Sequence, residues 1–414
     1  MGKAIIIGAG IIGLSTAYYL QQSGWDVTVL DKGDLSDNCS YGNAGMIVPS
    51  HFVPLAAPGM LEKGIKWMFD SKSPFYVRPS LNPDLIRWGL KFMKSANAGH
   101  ADRSALPLRD ISLLSKSLYS SITKEIGDFE LTNNGILMLF KTEKVGEEEL
   151  HVAEQARNLG LDVASLSAAE AQQLQPDLQL DVLGAVHYRC DAHLNPNRLL
   201  QLLKDKLVAS GVKIISNAAV TGITKEVGKI VGVVAGGIAY TADQYILSGG
   251  SWSPEIAKQA GFPIPLMPGK GYSFMVNADK QNMHIAALLC EAKVSVTPMN
   301  GKIRFGGTME IDKINSRINM NRVEGITTSI PKYLPDFRPD VPAASDIWFG
   351  FRPCSPDGLP YIGRSKSLEN LTVATGHGMM GISLGPGTGK LVAELINGEA
   401  LSMDIKPFSP DRYR

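Results

Sequence analysis

"KAIIIGAGIIGLSTAYYLQQSGWDVTVLDK", residues 3–32, decides the fold. Residues 4–7 are an unbroken apolar run, a pattern that suits a strand covered on both faces, as in a parallel sheet. Glycines follow at 8, 10 and 13; residues 14–22 have helical composition, Gly24 ends the helix, and residues 27–30 make a second apolar run that stops at Asp31. This is a β-α-β unit with G-x-G-x-x-G in its first turn. Gly8 permits the tight turn, Gly10 lets backbone approach a pyrophosphate, and Gly13 lets the helix lie on the strand. The phosphates would sit at the helix N-terminus, against Ala9, Ile11 and Ile12, while Asp31, followed by Lys32, would accept from a ribose hydroxyl.

The rest of the chain is consistent with a large enzyme. Its 414 residues, 44% hydrophobic and 20% charged, can bury a substantial core and suggest two domains. A net charge of +1, with no dense run of Lys and Arg, gives no footprint for nucleic acid. Cys39, Cys190, Cys290 and Cys354 are far apart and form no C-x-x-C pair, so neither a zinc site nor a disulfide framework is expected, and a reducing, cytoplasmic setting fits best. The first apolar run passes directly into the glycine motif, unlike a secretory signal, and no segment has the roughly 18 apolar residues of a spanning helix.

Glycine-rich segments recur far from the first turn, which favours an extended flavin over a nicotinamide, whose contacts concentrate in one Rossmann unit. "CSYGNAGMIVPSH", residues 39–51, is rich in side chains too small to block a flat ring, and Ser40, Asn43, Ala44, Gly45 and Met46 are its candidate cofactor contacts. "YILSGGSW" is a strand running into Ser248, Gly249 and Trp252. "ATGHGMMGISLGPGTGKLVAELING" places Gly376, Gly378, Met380, Gly381, Ile382 and Ser383 at the start of the last helix, whose N-terminal amides could face the flavin C2 carbonyl. "GPGTGK" is not a P-loop, because Leu384 and Leu391 stand where Gly and Ser or Thr belong.

With these pieces placed, the chain resembles the D-amino acid oxidase superfamily of FAD amine oxidoreductases (the glutathione-reductase-2 class), and within it the D-amino acid and D-hydroxyproline dehydrogenases. The similarity runs nearly end to end, through "GAGIIGLSTAYYL", "GNAGMIVPSHFVPLAAPG", "GIKWMF", "NPDLIRWGLKFM", "GSWSPEIAKQAG", "PLMPGKGYSF", "KIRFGGTMEI" and "GFRPCSPDGLPYIG" to the glycine-rich C-terminal segment. Asp31 is more often Glu in this superfamily, and "HYRCDAHLNP", residues 187–196, is closest to the hydroxyproline type. The resemblance implies an α/β Rossmann-type FAD domain assembled from residues 1–50, 191–262 and 345–414, with backbone at Val220 meeting the adenine. An α+β substrate domain with an antiparallel sheet would take residues 51–190 and 263–344, with residues 51–100 as a helical insertion.

The chemistry implied is hydride transfer from an amino acid α-carbon to flavin N5, giving an imine, so holding the substrate is the main task. A carboxylate calls for a planar, permanently charged partner, and Arg352 in "GFRPC" stands where the family places that clamp, with a structural salt bridge as the alternative. Tyr272 matches a tyrosine that commonly bonds the same carboxylate, while His51 and His377 lie in presumed flavin loops, where each could contact substrate or simply pack. Related sarcosine oxidases bind FAD through a cysteine, but alignment on "SPD" puts Gly350 at that place, so Cys354 is not a flavin link and FAD is expected to be non-covalent.

Residues 62–94 hold seven Lys or Arg against three acids, interleaved with Trp67, Phe69, Phe75, Tyr76, Trp88 and Phe92. Such a stretch could rest on the anionic inner face of the cytoplasmic membrane and pass electrons to a quinone or the respiratory chain, or it could be a helical cover with a solvated face. Three readings stay open: a dehydrogenase, an oxygen-using glycine or sarcosine oxidase, and a flavoprotein subunit that needs partners.

Overall fold

A computed structural model describes residues 2–59, 72–278 and 282–414. The opening segment forms strand Lys3–Ile7, helix Ile11–Gln22 and strand Asp26–Leu30. Ala4 and Ile6 join one apolar cluster while Ile5 and Ile7 join another, so this strand is buried on both faces. Among the described residues its sheet has six strands, ordered Tyr361–Arg364, Leu371–Thr375, Gln244–Leu247, Lys3–Ile7, Asp26–Leu30, Lys213–Ile215. Neighbours run parallel except for the outermost pair, Tyr361–Arg364 with Leu371–Thr375. One sheet is thus built from both ends and the middle of the chain.

The second sheet has nine strands among the described residues, with Met267–Asn277 paired along Lys302–Ile311. The sequence suggests an antiparallel sheet; the observed one is mixed. Ala286–Leu289 runs parallel to Ile136–Phe140, and Phe75–Val77 runs parallel to the end of Lys302–Ile311. Each of these pairs is joined by long intervening chain rather than a tight turn, which frees the strands from hairpin geometry. Leu137 and Leu139 face one apolar cluster and Met138 and Phe140 another, so this sheet too is covered on both sides. Strand Trp348–Cys354 pairs along Met267–Asn277, with Arg352 opposite Gly269. It falls in the last stretch expected for the FAD domain, yet it belongs to the second sheet, and the chain returns to the first sheet only at Tyr361.

The glycines of "GISLGPGTGK" make a helix crossing. Helix Gly381–Asn397 lies so close to Ile11–Gln22 that a Cβ on Gly385 would be 2.8 Å from Ile11 Cγ1, and one on Gly389 2.5 Å from the Ser15 carbonyl carbon. Gly387 faces the other way, where a Cβ would be 3.0 Å from the Ile111 carbonyl oxygen in helix Ala98–Ile126. Two helix N-termini are thereby brought to one region.

In the insertion, residues 60–71, with Trp67 and Phe69, lie outside the described residues. Helix Pro83–Ser95 turns Trp88 and Phe92 inward, stacked with ring centroids 5.2 Å apart, and Trp88 Nε1 donates to the Cys354 carbonyl at 2.8 Å. Those two aromatics are packing, and do not form part of an exposed aromatic surface. Among the described residues no helix is long and apolar enough to cross a membrane.

Candidate functional site

Between the sheets lies a cavity of about 1340 Å³, larger than the roughly 300–1,000 Å³ of a typical small-ligand site. The first turn forms one wall. Gly8 has φ +113°, and a Cβ on Gly13 would be 1.9 Å from the Gly8 carbonyl oxygen, whereas at Gly10 the nearest atom is Ser40 Oγ at 3.6 Å. Gly10 is therefore the glycine whose missing side chain leaves room for a ligand. Gly10 stands at the N-cap of helix Ile11–Gln22 and has no side chain to cap it, and Ser40 Oγ accepts from the Ile11 amide at 3.2 Å. Asp31 holds its own turn, Oδ2 accepting from Ala9 N at 2.6 Å and Oδ1 from Gly33 N at 2.7 Å. At this end Lys32 Nζ lies 3.3 Å from the Trp252 ring centroid, and Val220, Ser248 and Gly249 complete the wall.

The loop of residues 39–47 forms the middle of the cavity and is held from outside. Arg304, buried in the second sheet, donates through Nη1 to the carbonyls of Tyr41 at 2.9 Å and Asn43 at 2.7 Å, and through Nη2 to Asn197 Oδ1 at 3.2 Å. Ser273 Oγ donates to the Gly42 carbonyl at 2.9 Å. Opposite, the N-terminus of helix Gly381–Asn397 also lacks a side-chain cap, and Gly376, Gly378, Met380, Gly381 and Ile382 line the wall beside Asn43, Ala44 and Met46. Four expected cofactor residues stand behind the lining. Ala9 and Gly13 support the turn, Gly45 (φ +73°) backs onto the Leu194 carbonyl, where a Cβ would be 2.1 Å away, and Ser383 Oγ accepts from Val48 N at 2.9 Å.

Arg352 and His51 line the far end. Arg352 is half-buried and Nη1 donates to the Thr308 carbonyl at 2.6 Å; no carboxylate among the described residues lies within ion-pairing distance, and burial lowers its pKa. The salt-bridge alternative therefore finds no partner there. His51 Nδ1 lies 3.3 Å from Ser50 Oγ, which donates to the buried Asp191 Oδ2 at 2.6 Å. Burial, assisted by the Lys293 charge, pushes His51 down to about 4, while burial pushes Asp191 up to about 7 against the hydrogen bonds from Ser50. Tyr272 lines the same cavity, but its hydroxyl is already engaged. Its hydroxyl donates to Glu310 Oε1 at 2.6 Å and accepts from Asn319 N at 3.1 Å, and its ring packs in the apolar cluster of the second sheet. His377 is buried, its Nε2 is 3.0 Å from Thr388 Oγ1, and burial pushes it down to about 3, so it is neutral at any ordinary pH.

A family model described as DAO, FAD dependent oxidoreductase, matches residues 3–395. The chain belongs to the DAO family. Among similar curated proteins, the "D-amino acid dehydrogenase" of Granulibacter bethesdensis is 29% identical over 422 residues, covering 99% of each chain. That of Helicobacter pylori is 29% identical over 410 residues, covering 98% of each. Among solved structures, glycine oxidase from Geobacillus kaustophilus aligns with TM-score 0.80 at 22% identity, covering 100% of this chain and 99% of that one. L-proline dehydrogenase from P. horikoshii aligns with TM-score 0.79 at 19% identity, covering 100% and 97%.

As a DAO-family protein the chain takes FAD as its cofactor, and the residues present fit that group. The open position at Gly10 and two helix N-termini whose N-cap residues, Gly10 and Met380, supply no capping side chain suit an anionic, extended ligand. Gly350, where a flavin-linking cysteine would stand, has no space for any side chain, because a Cβ would be 2.1 Å from the Trp348 ring. Cys354 is buried, and burial pushes its thiol up to about 12, far from the thiolate that attachment chemistry needs. Sequence reasoning missed Arg304 and the Ser50–Asp191 pair. A charged residue between the apolar Ile303 and Phe305 was the available signal for Arg304.

Proposed function

We propose that this chain oxidises an amino acid at its α-carbon, and that the unpaired Arg352 guanidinium is the receptor for the substrate carboxylate. The observation that carries this is a half-buried cation facing a cavity, with no carboxylate among the described residues to neutralise it. FAD, when bound, supplies the hydride acceptor. The chain's own contribution is positioning. Arg352 would take the carboxylate, and its bond to the Thr308 carbonyl fixes one edge of the guanidinium. With Asp191 ionised, Ser50 spends its proton on that carboxylate, so His51 Nδ1 is the donor to Ser50 and Nε2 is left as an acceptor on a cavity-lining ring. A neutral His51 would thus accept an N–H of the substrate amine. Tyr272 and His377 act in this reading as supports of the second sheet and the last helix.

For the substrate we favour a D-amino acid of the cyclic, secondary type, D-proline or hydroxy-D-proline. The names of the 29%-identical relatives support the D-amino acid class, and the "HYRCDAHLNP" segment supports the cyclic type. That segment lies close to the site, since its strand Ala192–His193 pairs with Met46–Ile47. We further propose that FAD is held without a covalent bond, that electrons pass to a quinone-type acceptor rather than to oxygen, and that the protein is cytoplasmic. An anionic membrane surface would meet the exposed side of helix Pro83–Ser95, where Ile86, Leu90 and Met93 stand beside Arg87 and Lys94. The expected domain division is kept with one change, strand Trp348–Cys354 being assigned to the substrate domain.

Anaerobic bleaching of the flavin tests the reading, with D-proline, cis-4-hydroxy-D-proline, D-alanine, sarcosine, glycine and L-proline as donors. The cyclic D-amino acids should bleach fastest, and a preference for glycine, sarcosine or L-proline overturns the assignment. Turnover of the isolated chain with an artificial acceptor separates an enzyme from a subunit that needs partners. Rapid reoxidation by air with stoichiometric peroxide would make it an oxidase.

A further inference from the structure

We propose that Asp191 takes the proton that the substrate ammonium must lose, acting through Ser50 and His51 rather than by contact. This rests on the reading of His51 as the acceptor for the substrate amine and carries it one step further, to where the proton goes.

The three side chains form a continuous hydrogen-bonded path from the cavity into the core. His51 lines the cavity, and its Nε2 bonds nothing among the described residues yet is not one of their fully buried orphan atoms, so it is open to the cavity. Its Nδ1 lies 3.3 Å from Ser50 Oγ, and Ser50 Oγ donates to Asp191 Oδ2 at 2.6 Å. The inner end is fixed, because the Ser50 amide donates to Asp191 Oδ1 at 3.0 Å and leaves Oδ2 to the hydroxyl. The segment itself is anchored: the His51 amide donates to the Val48 carbonyl at 3.0 Å, and the Val48 amide donates to Ser383 Oγ at 2.9 Å.

An amino acid arrives as an ammonium, and its nitrogen must shed a proton before the lone pair can form the imine. With Asp191 ionised, every hydrogen on the path points inward, Nδ1–H to Ser50 and the Ser50 hydroxyl to Asp191. One shift along the path then moves one proton. The ammonium N–H bond breaks as Nε2–H forms, Nδ1 passes its proton to Ser50 Oγ, and Ser50 passes its own to Asp191 Oδ2. His51 and Ser50 end as neutral as they began, the substrate is a neutral amine, and Asp191 holds the proton. Burial gives the shift its direction, lowering His51 to about 4 and raising Asp191 to about 7, so the proton rests on the carboxyl rather than on the imidazole. The other ionisable groups facing the path are Lys116, whose Nζ donates to the Cys190 and Asp191 carbonyls, the Cys190 thiol and Tyr188 hydroxyl, both raised by burial, and Lys293, whose charge opposes protonation of His51. Once product has left, the proton returns by the same path to water at Nε2.

NMR of holoenzyme carrying isotope-labelled histidine reads the path directly, with the His51 signals assigned by their loss in His51→Gln. In the parent, Nδ1 should carry the proton above about pH 7 and Nε2 below it. In Asp191→Asn, Nε2 should carry it throughout: the carboxamide oxygen must face the Ser50 amide, so its NH2 donates to Ser50 Oγ and turns that hydroxyl toward Nδ1. A parent whose His51 keeps one tautomer across this range overturns the proposal. Anaerobic flavin bleaching by the best donor of the panel above reads the consequence. The parent rate at subsaturating donor should climb about tenfold per pH unit up to about 7, and Ser50→Ala and Asp191→Asn should lack the climb and be at least about tenfold slower above it. Should one of these variants not fold, the other carries the same expectation. Both should hold FAD and bind acetate and cyclopentanecarboxylate, which have no amine, as tightly as the parent; loss of that binding in both would make the pair structural and overturn its role. Parental bleaching by His51→Gln overturns the amine reading and this proposal together. Slow bleaching by His51→Gln, with the parental rate and pH climb kept in Ser50→Ala and Asp191→Asn, leaves His51 in place and removes Asp191.

Discussion

Ser50 donates twice to Asp191, from its amide to Oδ1 at 3.0 Å and from its hydroxyl to Oδ2 at 2.6 Å, which ties the loop that carries His51 to a buried carboxyl. The other charged or titratable groups at this point are Lys116, whose Nζ donates to the Cys190 and Asp191 carbonyls, and the Cys190 thiol, 3.5 Å from Oδ1. None of these offsets the cost of burying the charge, and Asp191 titrates at about 7 in the fold against about 4 in the unfolded chain. Between these values the folded state binds more protons than the unfolded one, so this group makes stability fall as pH rises from about 4 to about 7. Asp191→Asn should remove that slope while keeping an acceptor for Ser50. Tm profiles of the parent and variant across this range decide it, and parallel profiles would show that Asp191 does not titrate there.

Arg304 should matter to FAD retention without touching FAD. Arg304→Leu leaves the Tyr41 and Asn43 carbonyls without their buried donor, at about 1–3 kcal/mol for each unsatisfied group. We expect a lower Tm and faster FAD loss on dilution, with Arg304→Lys rescuing only partly because an ammonium cannot reproduce the fork. FAD retention equal to the parent in both variants would contradict this role.

The two inner glycines of the first turn should fail differently. Gly10→Ala has space for its Cβ and an ordinary φ of −72°, so it should fold with a near-parental apo Tm yet hold FAD at least about tenfold more weakly. Gly13→Ala puts a Cβ against the Gly8 carbonyl and should not accumulate as folded protein. Tight FAD binding by Gly10→Ala would displace the pyrophosphate from this turn.

Arg352→Met should keep FAD and Tm while lowering kcat/KM for amino acids at least about 30-fold, which matches roughly 2–5 kcal/mol for truncating one side of a buried charged pair. Amines without a carboxylate should lose far less. A uniform loss across both classes, accompanied by a lower Tm, would assign Arg352 a structural role.

The parts legible in the sequence were those whose geometry is local. The turn at Gly8, Gly10 and Gly13 is fixed by neighbours within a few residues, and the glycines after Thr375 carry a helix start in their own pattern. Arg352 was legible through its flanking motif. The direction of Tyr272 was not, because the strand offers two faces and only pairing with distant Glu310 and Asn319 decides which one its hydroxyl meets. The bond from Arg352 to the Thr308 carbonyl was hidden for the same reason: Thr308 sits in a bulge, a mismatch between two strands that leaves no mark in either one alone. Ser50 and Asp191 are unremarkable polar residues until folding buries them together.

The glycine-mediated crossing of helix Gly381–Asn397 over Ile11–Gln22 also sets an order of events. A ribosome makes the Gly8–Gly13 turn before residues 371–397, and until these have emerged the helix behind the turn has an unfilled flank and its sheet lacks Leu371–Thr375. The cofactor pocket is consequently a late product of synthesis. An apo chain halted before that point would expose the apolar side of its first helix, and FAD should be captured only after the C-terminal helix has docked.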